Sequence, residues 1–423
     1  MKGFYSLIVL TSLAMLFGDE PIFFTYYTFK NDPCVSIQLN IQTASDAPLT
    51  VELKLDDEVV EKRPSFGKLF ELPDTSRYLH HLDFSDLQPQ TRYQVVILGP
   101  SGQQAISSFT TLSSDFTKMR WIVGGDLEII GEAEPILKQM AAHEPDIIIF
   151  GGDYPKDVAS LADYRKWDEW LKQTTKLLVK KNGDQIPWVL AIGNNEVFGS
   201  FNQPVENAPF YHAYFPQNNT GTHYFDLFIG NKLHLVVLDS GLTACHDGEQ
   251  KRWLEERLKK HAAAPMKMAV YHVPIYPSVR FKEKNAFYRL AHAISSLRNQ
   301  HNIASRLLSE PSRQGALHWA PLFDHHAIAI AFEHHDHAFK RTYPLFNGCI
   351  NASKGTIYLG DGALAPFPRY SPIQKFCDYR IKKSIGHVQF FWLMTFSDAM
   401  IHCQAVTDYG KPIDQFSIKG AYE

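Results

Sequence analysis

The chain changes its hydrophobic period part-way along. From about Glu20 to Thr111 the apolar stretches are short, and two of them alternate strictly with polar residues: Val35-Ser-Ile-Gln-Leu-Asn-Ile41 and Leu49-Thr-Val-Glu-Leu-Lys-Leu55. A period of two predicts half-buried strands. Leu87-Gln-Pro-Gln-Thr-Arg-Tyr93 leads into Gln94-Val-Val-Ile-Leu98, the spacing of a tyrosine corner, and Ser108-Phe-Thr-Thr111 closes the segment. The pattern predicts a small all-β sandwich over 19–113. After Ser113-Ser114, apolar strands alternate with helical stretches. Strands are predicted at Arg120–Val123, Ile147–Phe150, Trp188–Ile192, Met268–Tyr271 and Ala327–Phe332, and helices from Pro135, over Leu161–Lys181 and over Glu249–His261. Tyr224–Phe228 and Leu233–Leu238 flank Gly230-Asn231 as a hairpin. Residues 114–423 therefore read as an α/β domain.

Residues 1–18 carry Lys2 and then the apolar run Phe4–Phe17, ending at Gly18. That run is short for a membrane span and suits an export leader. With no other long apolar stretch, a mature chain without a span is expected, located in a secreted, periplasmic or cell-surface setting. A formal net charge of −3 gives no long-range attraction to nucleic acid. The five cysteines lack C-x-x-C spacing, so a zinc ribbon is excluded. Either a disulfide such as Cys349–Cys377 or buried free thiols fits them. Asn218-Asn-Thr220 and Asn351-Ala-Ser353 match glycosylation acceptors, which matter only in a eukaryotic secretory pathway.

Metal chemistry enters through the residues at the strand ends. Asp126, Asp153 and Asn194 come just after the first three strands of the α/β segment, His272 after a later one, and His335 and His337 after the last. Ligands at strand carboxyl ends converge at one sheet edge. Mixed oxygen and imidazole donors suit divalent iron, manganese or zinc, and a shared carboxylate can bridge two ions.

These blocks resemble the calcineurin-like metallophosphoesterases, and within them bacterial secreted purple-acid-phosphatase-like proteins. The matching text is Gly125-Asp126, Gly152-Asp153, Gly193-Asn-Asn-Glu196, Tyr271-His-Val-Pro-Ile-Tyr276 and His335-Asp-His-Ala-Phe-Lys-Arg341, supported by Trp319-Ala-Pro-Leu-Phe323 and Tyr358-Leu-Gly-Asp-Gly362. The first segment resembles a fibronectin type III-like sandwich, expected to pack or position rather than catalyse. The resemblance implies a four-layer αββα fold. It also implies two divalent ions: Asp126 and His337 on one, Asn194, His272 and His335 on the other, and Asp153 between them. A hydroxide between the ions would attack phosphorus in line with the leaving oxygen. Arg341, with Lys340, would lie near the phosphate.

Departures at four places qualify that expectation. Asn195 stands where the family has a histidine that contacts the phosphate and helps the leaving group; an amide donates a hydrogen bond but delivers no proton. Lys156 stands where purple acid phosphatases have a tyrosine ligand, so a purple ferric centre is not expected. Glu128 replaces a common histidine and is a further candidate ligand. Glu333 and His334 stand where glycine is common, and their bulk is expected to crowd the metal rim. The leading expectation is a phosphomonoesterase acting on a small phosphorylated substrate. The alternatives are a degenerate metal- and phosphate-binding surface protein, or a phosphodiesterase or nucleotide hydrolase whose choice is set by the stretch from Ser278 to Leu317.

Overall fold

The computed structural model describes residues 22–419 apart from positions 101, 103, 129–132, 200, 281–309, 361, 365–367, 372–377 and 398–399. The expected leader (1–18), Cys377 and most of the stretch from Ser278 to Leu317 lie outside the described residues. No described helix is long and apolar enough to cross a membrane.

The alternating segment forms β1 (Ile22–Thr28), β2 (Ile37–Thr43), β3 (Leu49–Leu55), β4 (Glu58–Ser65), β5 (Lys68–Glu71), β6 (Ser76–Phe84), β7 (Arg92–Leu98) and β8 (Gln104–Thr110). They pair into two four-stranded sheets, ordered β1-β2-β6-β5 and β4-β3-β7-β8. Leu49, Val51 and Leu53 of β3 are buried, with more open polar residues between them. That alternation turns one face of the sheet to the core. Tyr27 of one sheet meets Phe109 of the other with ring centroids 4.9 Å apart. The tyrosine corner is present: the Gln88 N–H donates to the Tyr93 hydroxyl at 2.9 Å.

The longer-period segment forms β9 (Arg120–Gly124), α1 (Glu134–Ala142), β10 (Ile147–Phe150), α2 (Tyr164–Leu177), β11 (Trp188–Leu190), α3 (Pro209–Tyr214), β12 (Phe225–Ile229), β13 (Leu233–Val237), α4 (Glu249–Lys260) and β14 (Met266–Val270). Then come α5 (Glu310–His318), α6 (Ala320–His326), β15 (Ile330–Phe332), β16 (Phe339–Thr342), the short pair β17 (Leu345–Phe346) and β18 (Cys349–Ile350), β19 (Ile357–Gly360), β20 (Ile381–Ile385), β21 (Phe390–Phe396), β22 (Met400–Thr407) and β23 (Pro412–Lys419). One sheet is ordered β11-β10-β9-β21-β22-β23, the other β12-β13-β14-β15-β19-β16-β20.

Strand parity builds the layers. Ile147 and Ile149 of β10 share a core with Met268 and Val270 of β14, between the two sheets. Ile148 and Phe150 turn the other way, onto Ile136 and Leu137 of α1 and Trp167 and Trp170 of α2. Ala269 and the adjacent Tyr271 turn onto Leu254 and Leu258 of α4 and Phe323 of α6. Helix, sheet, sheet, helix is the result. Strands buried on both faces read as continuous apolar runs, which is why Ile147–Phe150 has no polar member. Each such fully buried side chain contributes roughly 1.5–3 kcal/mol.

The small sandwich docks on the β11 side. Tyr26 stacks on Trp188 at 5.4 Å, and its hydroxyl donates to the Tyr214 carbonyl at 2.9 Å. Arg77 reaches Asp168 at 2.8 Å, and Arg92 reaches Asp184 at 2.6 Å.

Candidate metal centre

Five strand ends deliver the candidate ligands to one edge. In the parallel pairs, Gly124 of β9 and Leu190 of β11 are both level with Phe150 of β10, and Val270 of β14 is level with Phe332 of β15. Asp126, Asp153, Asn194, His272, His335 and His337 all lie in the loops leaving these ends.

The loops are strained where the candidate ligands sit. The φ angle is +56° at Asp126, +56° at Asp153, +76° at His335 and +57° at His337. Left-handed non-glycine residues cost of order 1–3 kcal/mol each and persist only where the surroundings impose them. Here glycines leave room for the turns. A Cβ on Gly362 would fall 1.6 Å from Asp126 Oδ2, and one on Gly193 would fall 2.3 Å from Asp153 N and Oδ1.

One donor atom each from Asp126, Asp153, His272 and His335 lie within 4.8 Å of one another. His272 Nδ1–H donates to the Gly151 carbonyl at 2.8 Å, which leaves Nε2 as the lone-pair nitrogen. Nε2 faces Asp153 Oδ2 at 3.3 Å, Asn194 Oδ1 at 3.1 Å and His335 Nδ1 at 3.2 Å. So many electron-rich atoms about one point call for positive charge. Burial alone would lower the His272 pKa, but the Asp153 and Asp126 carboxylates outweigh it and raise it to about 9. Asp126 Oδ1 and His337 Nε2 are buried 3.0 Å apart, yet neither is satisfied by a hydrogen bond. A shared cation would satisfy both, so the donor set fits a metal. Glu128 Oε1 lies 3.7 Å from the same His337 nitrogen.

A surrounding shell fixes these donors. Glu196 accepts the N–H groups of Gly193 at 2.7 Å and of Asp153 and Tyr154 at 2.9 Å, tying the third loop to the second. Burial, then the Asp153 charge, raise its pKa to about 8 against those donors. Asp126 Oδ2 accepts the His335 N–H at 2.8 Å, and Ser240 Oγ accepts those of His272 and Val273.

Some sequence expectations meet different geometry. Arg341 does not reach the cluster: its guanidinium holds Asp414 of β23 at 2.6 and 3.0 Å and lies over Phe416. Lys340 points to the opposite side and is buried on Glu333. Glu333 does not crowd the rim, because its carboxylate turns away to the Tyr271 hydroxyl at 2.7 Å and the Ile275 N–H at 2.6 Å. The His334 ring lies over Gly125 and Gly151, where a Cβ on Gly151 would come within 1.8 Å of it. The Asn195 N–H donates to Asp153 Oδ1 at 2.8 Å, and its amide donates to Glu128 Oε1 at 3.2 Å. Lys156 reaches Glu128 Oε2 at 3.4 Å. Tyr154 is buried and donates to the Ala191 carbonyl at 2.6 Å, away from the cluster. Sequence reasoning missed Glu196 as the loop fastener, together with Arg280 and Arg369 beside the two histidines. Glu196 was visible as the last residue of the Gly193 motif; the arginines obey no spacing rule.

A second His/Asp group, Asp226, His234 and His261, lies away from these loops. Arg257 Nε already sits 2.8 Å from Asp226 Oδ2, so this group is a structural ion network.

The comparisons with known proteins agree with the geometry. The model of the calcineurin-like phosphoesterase family matches residues 122–303. The chain carries a calcineurin-like metallophosphoesterase domain. Probable purple acid phosphatase 20 of Arabidopsis thaliana is 28% identical to it over 206 residues, 45% of this chain and 44% of that protein. Purple acid phosphatase 13 of the same plant is 22% identical over 335 residues, 68% of this chain and 54% of that one. The chain thus spans about half the length of these curated relatives. Two solved structures share the fold of the metallophosphoesterase domain and the sandwich before it. The yellow lupin (Lupinus luteus) purple acid phosphatase PPD1 superposes with a TM-score of 0.72 at 14% identity, over 93% of this chain and 74% of that one. PhoD superposes with a TM-score of 0.70 at 13% identity, over 96% and 92%.

Proposed function

We propose that the chain is a metal-dependent phosphoric ester hydrolase of the acid-phosphatase type, acting on small phosphomonoesters outside the cytoplasm. The observation that carries this is the convergence of Asp126, Asp153, His272 and His335 at the loop edge of two packed sheets. Asp126 and His337 would hold one divalent ion, and Asn194, His272 and His335 a second, with Asp153 shared and Glu128 as a further carboxylate. When bound, iron, manganese or zinc supplies Lewis acidity toward a phosphoryl oxygen and lowers the pKa of water. The chain's own groups supply order. The Gly151 carbonyl sets the His272 tautomer, and Glu196 fixes the Asp153 backbone. Rigid support of this kind keeps ligands within the narrow geometry that catalysis demands. Asn195 can donate a hydrogen bond to an ester oxygen but cannot protonate it. Esters with acidic leaving groups are therefore the favoured substrates.

Elemental analysis together with phosphate release from aryl and bis-aryl phosphates tests this. Two ions per chain and metal-dependent release are expected. Two bound ions without turnover on either ester would sink the hydrolase, and a chain that takes up no metal would sink the site itself.

One observation favours a second reading, a metal- and anion-binding protein with little turnover. Asn195 and Lys156 both engage Glu128, so the side chain in the proton-handling position is spent on structure.

A further inference from the structure

The mouth of the cluster carries two arginines for which the proposed chemistry has so far given no role. Arg280 comes after the His272 loop, and its backbone N–H is held by the Asp336 carboxylate at 3.3 Å. Its Nη1 lies 2.5 Å from His335 Nε2, while its Nε is buried without a hydrogen-bond partner. Arg369 is fastened from the other side, its backbone N–H donating to the His337 carbonyl at 2.7 Å. Both side chains are half-buried. The two guanidinium charges are close enough to repel: burial, then Arg280, lower the Arg369 pKa. Among the described residues neither guanidinium forms an ion pair with a carboxylate. Asp336 spends its oxygens on the backbone N–H groups of Ser278 and Val279 at 2.8 Å. The negative charge felt by Arg369 comes from Asp336, Asp126 and Glu128. Two of those three carboxylates would be neutralised by divalent ions, which would leave Asp336 as the remaining counter-charge that Arg369 feels among the described residues. Two partly desolvated cations that share one carboxylate are costly, and an incoming anion relieves the cost.

We infer that Arg280 and Arg369 form an anion clamp over the His335–His337 side of the cluster, and that it selects doubly ionised phosphomonoesters over singly ionised diesters. The inference rests on the proposed hydrolase site and adds the residues that would set its choice between monoester and diester. A monoester near neutral pH carries close to two negative charges, whereas a diester carries one. A guanidinium fork that meets two ionised oxygens loses more of its partner when the second oxygen is esterified.

The test uses the metal-loaded full chain with Arg280→Gln and Arg369→Gln, made separately. Calorimetry reads the affinity for inorganic phosphate and for dimethyl phosphate. Steady-state assays read kcat/KM on an aryl phosphate and a bis-aryl phosphate, and elemental analysis counts the ions. Each variant is expected to keep its metal, to bind phosphate about tenfold or more weakly, and to lose that same factor in its monoester-to-diester ratio. Unchanged phosphate affinity, or an equal fall on both esters, would overturn the clamp. If the wild-type protein turns over neither ester, the hydrolase reading fails by itself, and phosphate against dimethyl phosphate binding still decides the clamp.

Discussion

On the proposed hydrolase reading, Asn195 would set the ceiling on catalysis, because it sits beside Asp153 and its amide has no proton to give. A lost general acid typically costs about 10²- to 10⁴-fold. Asn195→His is therefore expected to raise kcat on alkyl phosphates by about 10²-fold or more, and to change aryl phosphates with acidic phenols far less. A drop on both substrates would show that the Asn195–Glu128 contact is tuned for this chain's own reaction. His272 carries the pH prediction. Its folded pKa is raised from 6.5 to about 9, so its contribution to metal-free stability is complete below pH 6.5 and is lost as pH rises through about 9. A divalent ion competes with that proton. Apparent metal affinity should climb between pH 6.5 and 9 and flatten above, and calorimetric metal titrations across that range check it. A flat profile would remove proton competition at His272. At this scale the ligand types were legible in the chain, because each comes just after an apolar run. Arg280 and Arg369 were not, because they reach the site from loops with no pattern of their own.

Single elements show why some assignments missed. Arg341 comes soon after the His-x-His text, which invites a role at the phosphate. It lies in β16, however, where side chains alternate. Phe339 and Arg341 face the space between the sheets, and Lys340 faces the other side of its sheet, where it is buried on Glu333. Arg341 thus ties β16 to Asp414 of β23 across that space. The strands β20 to β23 carry no candidate ligand, and the apolar run of β21 alone does not say which sheet it joins; in the fold β21 lies next to β9, the strand that leads to Asp126. The loops themselves give the prediction at this scale. Gly362→Ala would set a methyl against Asp126 Oδ2 at a φ of +55°. It should lower metal affinity by roughly tenfold or more while circular dichroism stays unchanged, since a strained backbone of roughly 1–3 kcal/mol can be relieved by moving one loop. Full metal occupancy at wild-type affinity in that variant would mean that the glycine does not govern where Asp126 stands.

Across the whole molecule, the sandwich core and the inter-sheet core run together through Phe116, Met119 and Trp121. One cooperative unfolding transition is expected rather than two. Asp184 fastens the same junction: Arg92 Nε and Thr110 Oγ1 both donate to it at 2.6 Å, and Asn182 donates at 2.9 Å. Asp184→Ala should cost about 2 kcal/mol, discounted because Arg92 is half exposed, and should leave metal content and ester hydrolysis unchanged. Scanning calorimetry checks the stability loss and the single transition, and elemental analysis with an ester assay checks the rest. Separate sandwich and phosphoesterase transitions in the wild type would contradict the shared core. The sequence by itself determined the β-rich first part and the α/β second part, most strand positions and the candidate-ligand residue types, since period and residue chemistry are local properties. Only the tertiary structure decided that Arg280 and Arg369 stand beside the cluster, which way Arg341 and Glu333 face, and how the last strands complete the first sheet. Those outcomes depend on strand parity and on contacts between residues far apart in the chain, which no local pattern encodes.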